Sequence, residues 1–172
     1  MAEALEERLA RAVRLREGGD PGRARELLLD LRGEYPSDAR VAYQTAWAHD
    51  VLGLEAEAVP HYRAAIAGDL SGEEMREALL GLGSTLRALG RDEEAGRVFE
   101  QGVQLFPDFR PLRVFRALLR YNTGENREAV ADLLRLLVET TADPEIQRYQ
   151  RAVTAYAEDL DRSWLDGTTV DT

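Results

Sequence analysis

Cysteine is absent from the 172 residues, which removes disulfides, thiolate nucleophiles and cysteine metal ligands together. Lysine is absent too, since all 22 lysine-or-arginine positions are arginine. A chain without lysine has no phosphate-loop lysine, no Schiff base and no lysine general base. Histidine is scarce: His49 and His61 stand alone, on different helices of one expected hairpin. A metal site needs tighter convergence with further ligands, so both are expected to be packed or surface residues. No apolar run approaches the ~20 residues that span a bilayer. The start, MAEALEERLA, is charged and helical, unlike a secretory leader. A cytoplasmic location is therefore expected, with no membrane partner. A net charge of −10 argues against a nucleic-acid partner, because an acidic chain repels the phosphate backbone.

What the chain does have is a recurring glycine. Gly19, Gly53, Gly90 and Gly124 are separated by steps of 34, 37 and 34 residues. Five residues after each sits an alanine: Ala24, Ala58, Ala95, Ala129. Nine after sits a large apolar or aromatic residue: Leu28, Tyr62, Phe99, Leu133. Seven before sits a small one: Ala12, Ala46, Gly83, Ala117. A period near 34 residues with this internal pattern predicts an array of helical hairpins.

Local signals divide each period into two helices. The first hairpin is expected to have a helix over 3–18 closed by Gly19, which suits a left-handed C-cap. Asp20 then caps a second helix with Pro21 at its first position, and Pro36 stops it. The second hairpin is expected over 39–52 and 55–68, with Pro60 weakening or kinking the latter at Ala56. Ser71 and Glu74 form a capping box. The longer step then implies three extra residues in the helix that ends at Gly90. The fourth hairpin is expected near 109–123 and 126–139. A ninth helix, 144–160, follows Asp143 and Pro144, with Ile146, Tyr149, Val153, Tyr156 and Leu160 on one side to cover the end of the array. Residues 161–172 read as a tail.

This pattern resembles the tetratricopeptide repeat, most fully in ALLGLGSTLRALGRDEEAGRVFEQGVQLFP, from Ala78 to Pro107. The resemblance implies an all-α, right-handed superhelix of four hairpins plus a capping helix. The repeats would cover about 5–38, 39–72, 76–109 and 110–143, in one domain over 1–160. Leu70 and Thr141 replace the closing proline in two repeats. The resemblance further implies that first helices line a concave groove that binds a protein or peptide. Its sites here would be Leu9, Val13 and Arg16; Arg40, Tyr43, Trp47 and Asp50; Glu77, Leu80, Ser84 and Arg87; and Val114, Leu118, Tyr121 and Asn122. Family members that clamp a C-terminal carboxylate use lysines and asparagines. Here Leu9, Val13, Glu77 and Gly81 stand at those sites, so that clamp is not expected.

Tyr43 and Trp47 are one helical turn apart and share a face. They read either as an aromatic anchor for a partner or as packing against a neighbouring helix. Arg113, Arg116 and Arg120 form a stripe that would receive an external anion or pair with the chain's own acids at a seam. Gly81-Leu82-Gly83 fails as a dinucleotide loop, since no strand precedes it and Leu86 stands where the third glycine belongs; small residues there allow close helix approach. Glu73-Glu74 and Glu93-Glu94 lie near helix starts, where the dipole favours them. No catalytic constellation and no cofactor site emerges. The expected function is a non-catalytic interaction module. The alternative is a homo-oligomer, possible as a dimer, that uses the apolar groove or the C-terminal helix on a second copy. The tail residues Trp164 and Leu165 are a further candidate occupant of the groove.

Overall fold

A computed structural model describes residues 2–161, with side chains from Leu5 onward. The predicted tail from residue 162, with Trp164 and Leu165, lies outside the described residues. Helices α1 (Ala2–Glu17) and α2 (Pro21–Glu34) form the first hairpin. The second is α3 (Ala39–Val51) with α4 (Glu55–Ile66), and the third is α5 (Gly72–Ala88) with α6 (Asp92–Leu105). The fourth is α7 (Arg110–Asn122) with α8 (Asn126–Thr140), followed by α9 (Pro144–Gln147) and α10 (Gln150–Glu158). The described residues contain no strand. The chain forms two compact units, Met1–Phe115 and Arg116–Thr172, whose boundary falls inside α7.

The four recurring glycines close the hairpin turns, with φ of +90° at Gly19, +70° at Gly53, +69° at Gly90 and +86° at Gly124. No other described residue has a positive φ. A side chain there would meet the following carbonyl at a cost of about 1–2 kcal/mol, so the period is written where the backbone must turn left-handed. Helix starts follow the expected chemistry. The Asp20 carboxylate accepts from the Arg23 N–H at 3.2 Å. Ser71 and Glu74 close their capping box, each at 3.2 Å. The extra residues of the longer step lie in α5, which at 17 residues is the longest helix among those described. Pro60 does not interrupt α4. Its missing N–H costs one ladder bond, but Ala58, Val59, Tyr62 and Ala65 are all buried, and packing holds the helix together across the defect.

In the first unit the repeat positions are the core. Ala12, Ala24, Leu28, Ala46, Ala58, Ala95 and Phe99 are fully buried, and Tyr62 is 2% exposed. Close approach of α5 and α6 depends on Gly83, where an added Cβ would lie 2.4 Å from the Phe99 ring.

The second unit departs from the pattern at one point. Ala117 and Ala129 are buried as expected, but Leu133 is 39% exposed and the neighbouring Asp132 is 7% exposed. One residue is about 100° around a helix, so α8 turns an acid inward where the other second helices turn a large apolar side chain. Arg120 Nη1 donates to Asp132 Oδ2 at 2.6 Å, Arg116 Nη2 lies 3.4 Å from the same oxygen, and Arg135 lies 3.5 Å from Oδ1.

The expected continuous ninth helix is also corrected. It is two pieces, because the Tyr149 N–H bonds three residues back to Ile146 at 2.9 Å and regular winding resumes only from Gln150. The expected stripe faces inward only in part. Ile146, Val153 and Leu160 are half-buried, but Tyr149 is 60% and Tyr156 47% exposed, and Ala157 is the fully buried residue. Polar anchors set this rotation: Arg135 donates to the Ala157 carbonyl at 2.9 Å, and Arg127 pairs with Asp159 and Asp161. Packed on α10, α8 still leaves Val130, Leu133 and Leu137 exposed.

Candidate partner-binding site

Helices α3 and α5 pack side by side in the first unit, and between their side chains opens a cavity of about 210 Å³. Six of the expected groove residues line it together: Tyr43, Trp47 and Asp50 from α3, and Glu77, Leu80 and Ser84 from α5. Spacings of three and four residues put each set on one helical face. Tyr62, Gly81 and Phe115 complete the wall. A second opening of about 310 Å³ shares Trp47, Asp50 and Ser84 and adds Glu55.

Tyr43 and Trp47 make a tilted pair, with ring centroids 5.7 Å apart and planes at 39°. Their exposures differ. Tyr43 is 4% exposed and, of its two expected readings, matches packing: its ring is part of the wall. Burial, with the Glu77 charge second, pushes its phenol pKa well up and keeps it neutral. Trp47 is half-buried. One face of the indole is covered by the Arg16 guanidinium, 3.6 Å from the ring centroid, a cation–π contact worth about 0.5–2 kcal/mol. Arg16 is itself 8% exposed and donates to the Gln44 side chain at 3.2 Å. Burial lowers its pKa from the usual arginine range.

Asp50 is the electrostatic centre. The Tyr62 hydroxyl donates to Oδ2 at 2.8 Å, and the Thr85 hydroxyl, 2.8 Å from Oδ1, shares its one proton between Asp50 and the Gly81 carbonyl, also at 2.8 Å. Burial raises the carboxyl pKa, against the lowering effect of those two hydroxyl bonds. Tyr62 reaches Asp50 across α5 because residue 81 is glycine; a Cβ there would sit 2.4 Å from the Tyr62 hydroxyl. The sequence carried a signal for this bond. Tyr62 holds the position occupied elsewhere by Leu28, Phe99 and Leu133, and a hydroxyl in a core position requires a buried acceptor.

The remaining expected groove residues lie elsewhere. Val13 and Arg40 line a separate depression of about 430 Å³, where Arg40 pairs with Glu6 at 2.7 Å. Leu9 also lines that depression but is 8% exposed and packs in the core with Leu5, Ala12, Leu28 and Val41. Arg87 and Val114 are half-buried, while Leu118, Tyr121 and Asn122 are exposed on the part of α7 in the second unit. Of the arginine stripe, Arg116 and Arg120 meet the chain's own Asp132, which is the seam arrangement; Arg113, in the first unit, is half-buried.

The histidines converge more closely than their sequence positions suggest, with ring centroids 5.1 Å apart. Arg25 Nε–H donates to His49 Nε2 at 3.0 Å, so the Nδ1–H of His49 donates to the Thr45 carbonyl at 2.7 Å. Burial and the neighbouring His49, Arg32 and Arg25 lower the His61 pKa to about 4. No group of three metal-ligating side chains occurs among the described residues, nor any helix long and apolar enough to cross a membrane.

Hairpins of this length, with a left-handed glycine at each turn and small residues at the crossing points, define a helical-repeat protein. The chain belongs to the tetratricopeptide repeat family: the family described as "Tetratrico peptide repeat" matches residues 39–160. Among solved structures it is similar to the crystal structure of the MamA protein. There the TM-score is 0.69 at 20% identity, over 86% of this chain and 75% of that one. It is also similar to TTC0263, a thermophilic TPR protein in Thermus thermophilus, with a TM-score of 0.58 at 23% identity, over 91% of this chain and 84% of that one. At such identities the likeness shows the fold. No curated protein matches the sequence significantly. The family is in general one of protein–protein interaction modules, typically non-catalytic.

Proposed function

We propose that the chain is a non-catalytic module whose first unit holds a segment of a partner polypeptide at the cavity between α3 and α5. The observation that carries this reading is the meeting of Tyr43, Trp47, Asp50, Glu77, Leu80 and Ser84 around one opening. The half-buried Trp47 and Leu80 supply apolar surface, and burying one large apolar side chain contributes about 1.5–3 kcal/mol. Tyr43, buried and paired with Trp47, makes a fixed part of the wall, which lowers the ordering cost of binding.

The test is affinity capture from native cell extract with wild type and Trp47→Ala, followed by remixing of the purified captured protein. The expected result is an affinity at least about tenfold weaker for the variant, with helicity and mass unchanged. Equal binding by both forms overturns the reading.

A second reading, self-association, draws on the exposed row of Val130, Leu133 and Leu137 on α8. Sedimentation of wild type and Leu133→Glu tests it: a dimer that the charge dissociates supports it, and a wild-type monomer at all concentrations sinks it.

A further inference from the structure

The cavity between α3 and α5 has an unusual charge balance for a chain with 22 arginines. Among the described residues no arginine lines it or the adjoining opening, yet Asp50 and Glu77 line the first, and Asp50 and Glu55 the second. Elsewhere in this unit several carboxylates pair with guanidinium groups: Glu34 with Arg8, Glu6 with Arg40, and Glu94 with Arg91. Asp50 and Glu77 have none within 4.0 Å among the described residues; Asp50 is held by hydroxyls alone. A carboxylate has about four acceptor sites, and two hydroxyl donors leave Asp50 acceptor capacity toward the opening. The walls around these acids are the rings of Tyr43, Trp47, Tyr62 and Phe115, whose faces attract cations.

The geometry points to a cationic guest. We propose that this cavity takes the ammonium or guanidinium group of a lysine or arginine side chain on the partner segment, a proposal that rests on the groove reading above. An acidic or C-terminal carboxylate guest would face two like charges with no arginine on the wall. A purely apolar guest would cover Asp50 and Glu77 and strip their water with nothing in return. A basic side chain lays its methylenes along the rings while its head meets the acids. Arg16 does not compete for the site, since it covers Trp47 from outside the cavity lining and is already held by Gln44. The burial that raises the Asp50 pKa is what a bound cation would offset.

The experiment pans random displayed peptides of about a dozen residues against the full chain, then measures the enriched peptides on wild type, Trp47→Ala, Glu77→Gln and Asp50→Asn. Glu77→Gln is the decisive variant, because it preserves shape at a half-exposed position; Asp50→Asn is read only if its helicity is retained. The expected result is peptides with a lysine or arginine whose replacement by alanine weakens binding about tenfold or more. Glu77→Gln should weaken binding comparably, and added salt should weaken it further. Peptides that need Trp47 but carry no required basic residue, or are indifferent to Glu77→Gln, overturn the cation proposal and leave the groove reading standing. Absence of any peptide dependent on Trp47 overturns both. Sedimentation of the same variants covers one more outcome: a wild-type dimer dissociated by Glu77→Gln would make an arginine of a second copy the occupant, and would overturn the foreign-partner proposal.

Discussion

The hairpin turning at Gly90 and the one turning at Gly124 share a frame and differ in what they bury. Both have a left-handed glycine, an alanine five residues later and a small residue seven before. In the first, Phe99 is fully buried against Gly83. In the second, Leu133 at the same position is 39% exposed, and Asp132 takes the inward place among arginines. The backbone frame is therefore set by the turn and the small residues, where helices touch. The large position is open to either chemistry, provided that the opposing helix supplies its complement. Apolar burial gains from volume alone, whereas an inward carboxylate needs donors at fixed distances.

The largest expected effect comes from emptying the apolar version. Phe99→Ala should lower stability by about 3–5 kcal/mol, read as a shift of the urea midpoint. A loss under about 1 kcal/mol would mean that the ring is not the wedge between α5 and α6. Asp132→Ala attacks the ionic version. Its side chain is 10% exposed and that of Arg120 27%, so the loss should be about 2–3 kcal/mol, below the 3–5 of a fully buried pair. An unchanged midpoint would reduce the cluster to surface decoration.

The shared frame makes a third prediction. Gly90→Ala and Gly124→Ala should cost about the same, about 1–2 kcal/mol each, despite the different cores beside them. Unequal costs, measured by the same unfolding curves, would show that the turn is coupled to what each hairpin buries.

A third chemistry, the histidine pair between α3 and α4, gives an effect confined to acid pH. His61 has a folded pKa of about 4 against a usual 6.5. Above pH 6.5 both states are neutral and its contribution is complete. As pH falls from 6.5 towards 4, the unfolded chain takes up a proton that the folded chain does not, and stability declines by at most one proton's worth per pH unit. Asp50, whose carboxyl pKa is raised, acts with the opposite sign, contributing stability that is lost as pH rises through its folded pKa. The difference between wild type and His61→Phe isolates the histidine: the gap should shift over this window in the variant's favour on acidification. A constant gap would contradict the buried neutral ring.

Most of the fold was legible because it is written in local chemistry. A left-handed turn demands glycine, a helix start rewards Asp20 or Ser71, and a crossing point demands alanine or glycine. Those requirements hold whatever the neighbours are. The break at Tyr149 was not legible, because residues 144–160 carry helical spacing throughout and the rotation of the last segment is fixed by Arg127 and Arg135 on α8. The candidate site divided in the same way. Helical spacing put Tyr43 beside Trp47 and Leu80 beside Ser84, and these do converge. Which of them stays accessible depends on neighbours distant in sequence: Arg16 over Trp47, Tyr62 across Gly81, and Leu5 and Val41 around Leu9. The arginine seam was readable as a charge problem in α7, but its acid, Asp132, was hidden beside a leucine that fitted the repeat.

Asp50 belongs to α3, yet its two hydroxyl partners stand on α4 and α5. One side chain thus joins both helices of a hairpin to the first helix of the next. Hairpin arrays tend to open a repeat at a time, because each contacts only its neighbours. Here the joint should erase one of those seams. Amide hydrogens of α3, α4 and α5 are then expected to exchange with deuterium as a single cooperative block, slower than those of α1.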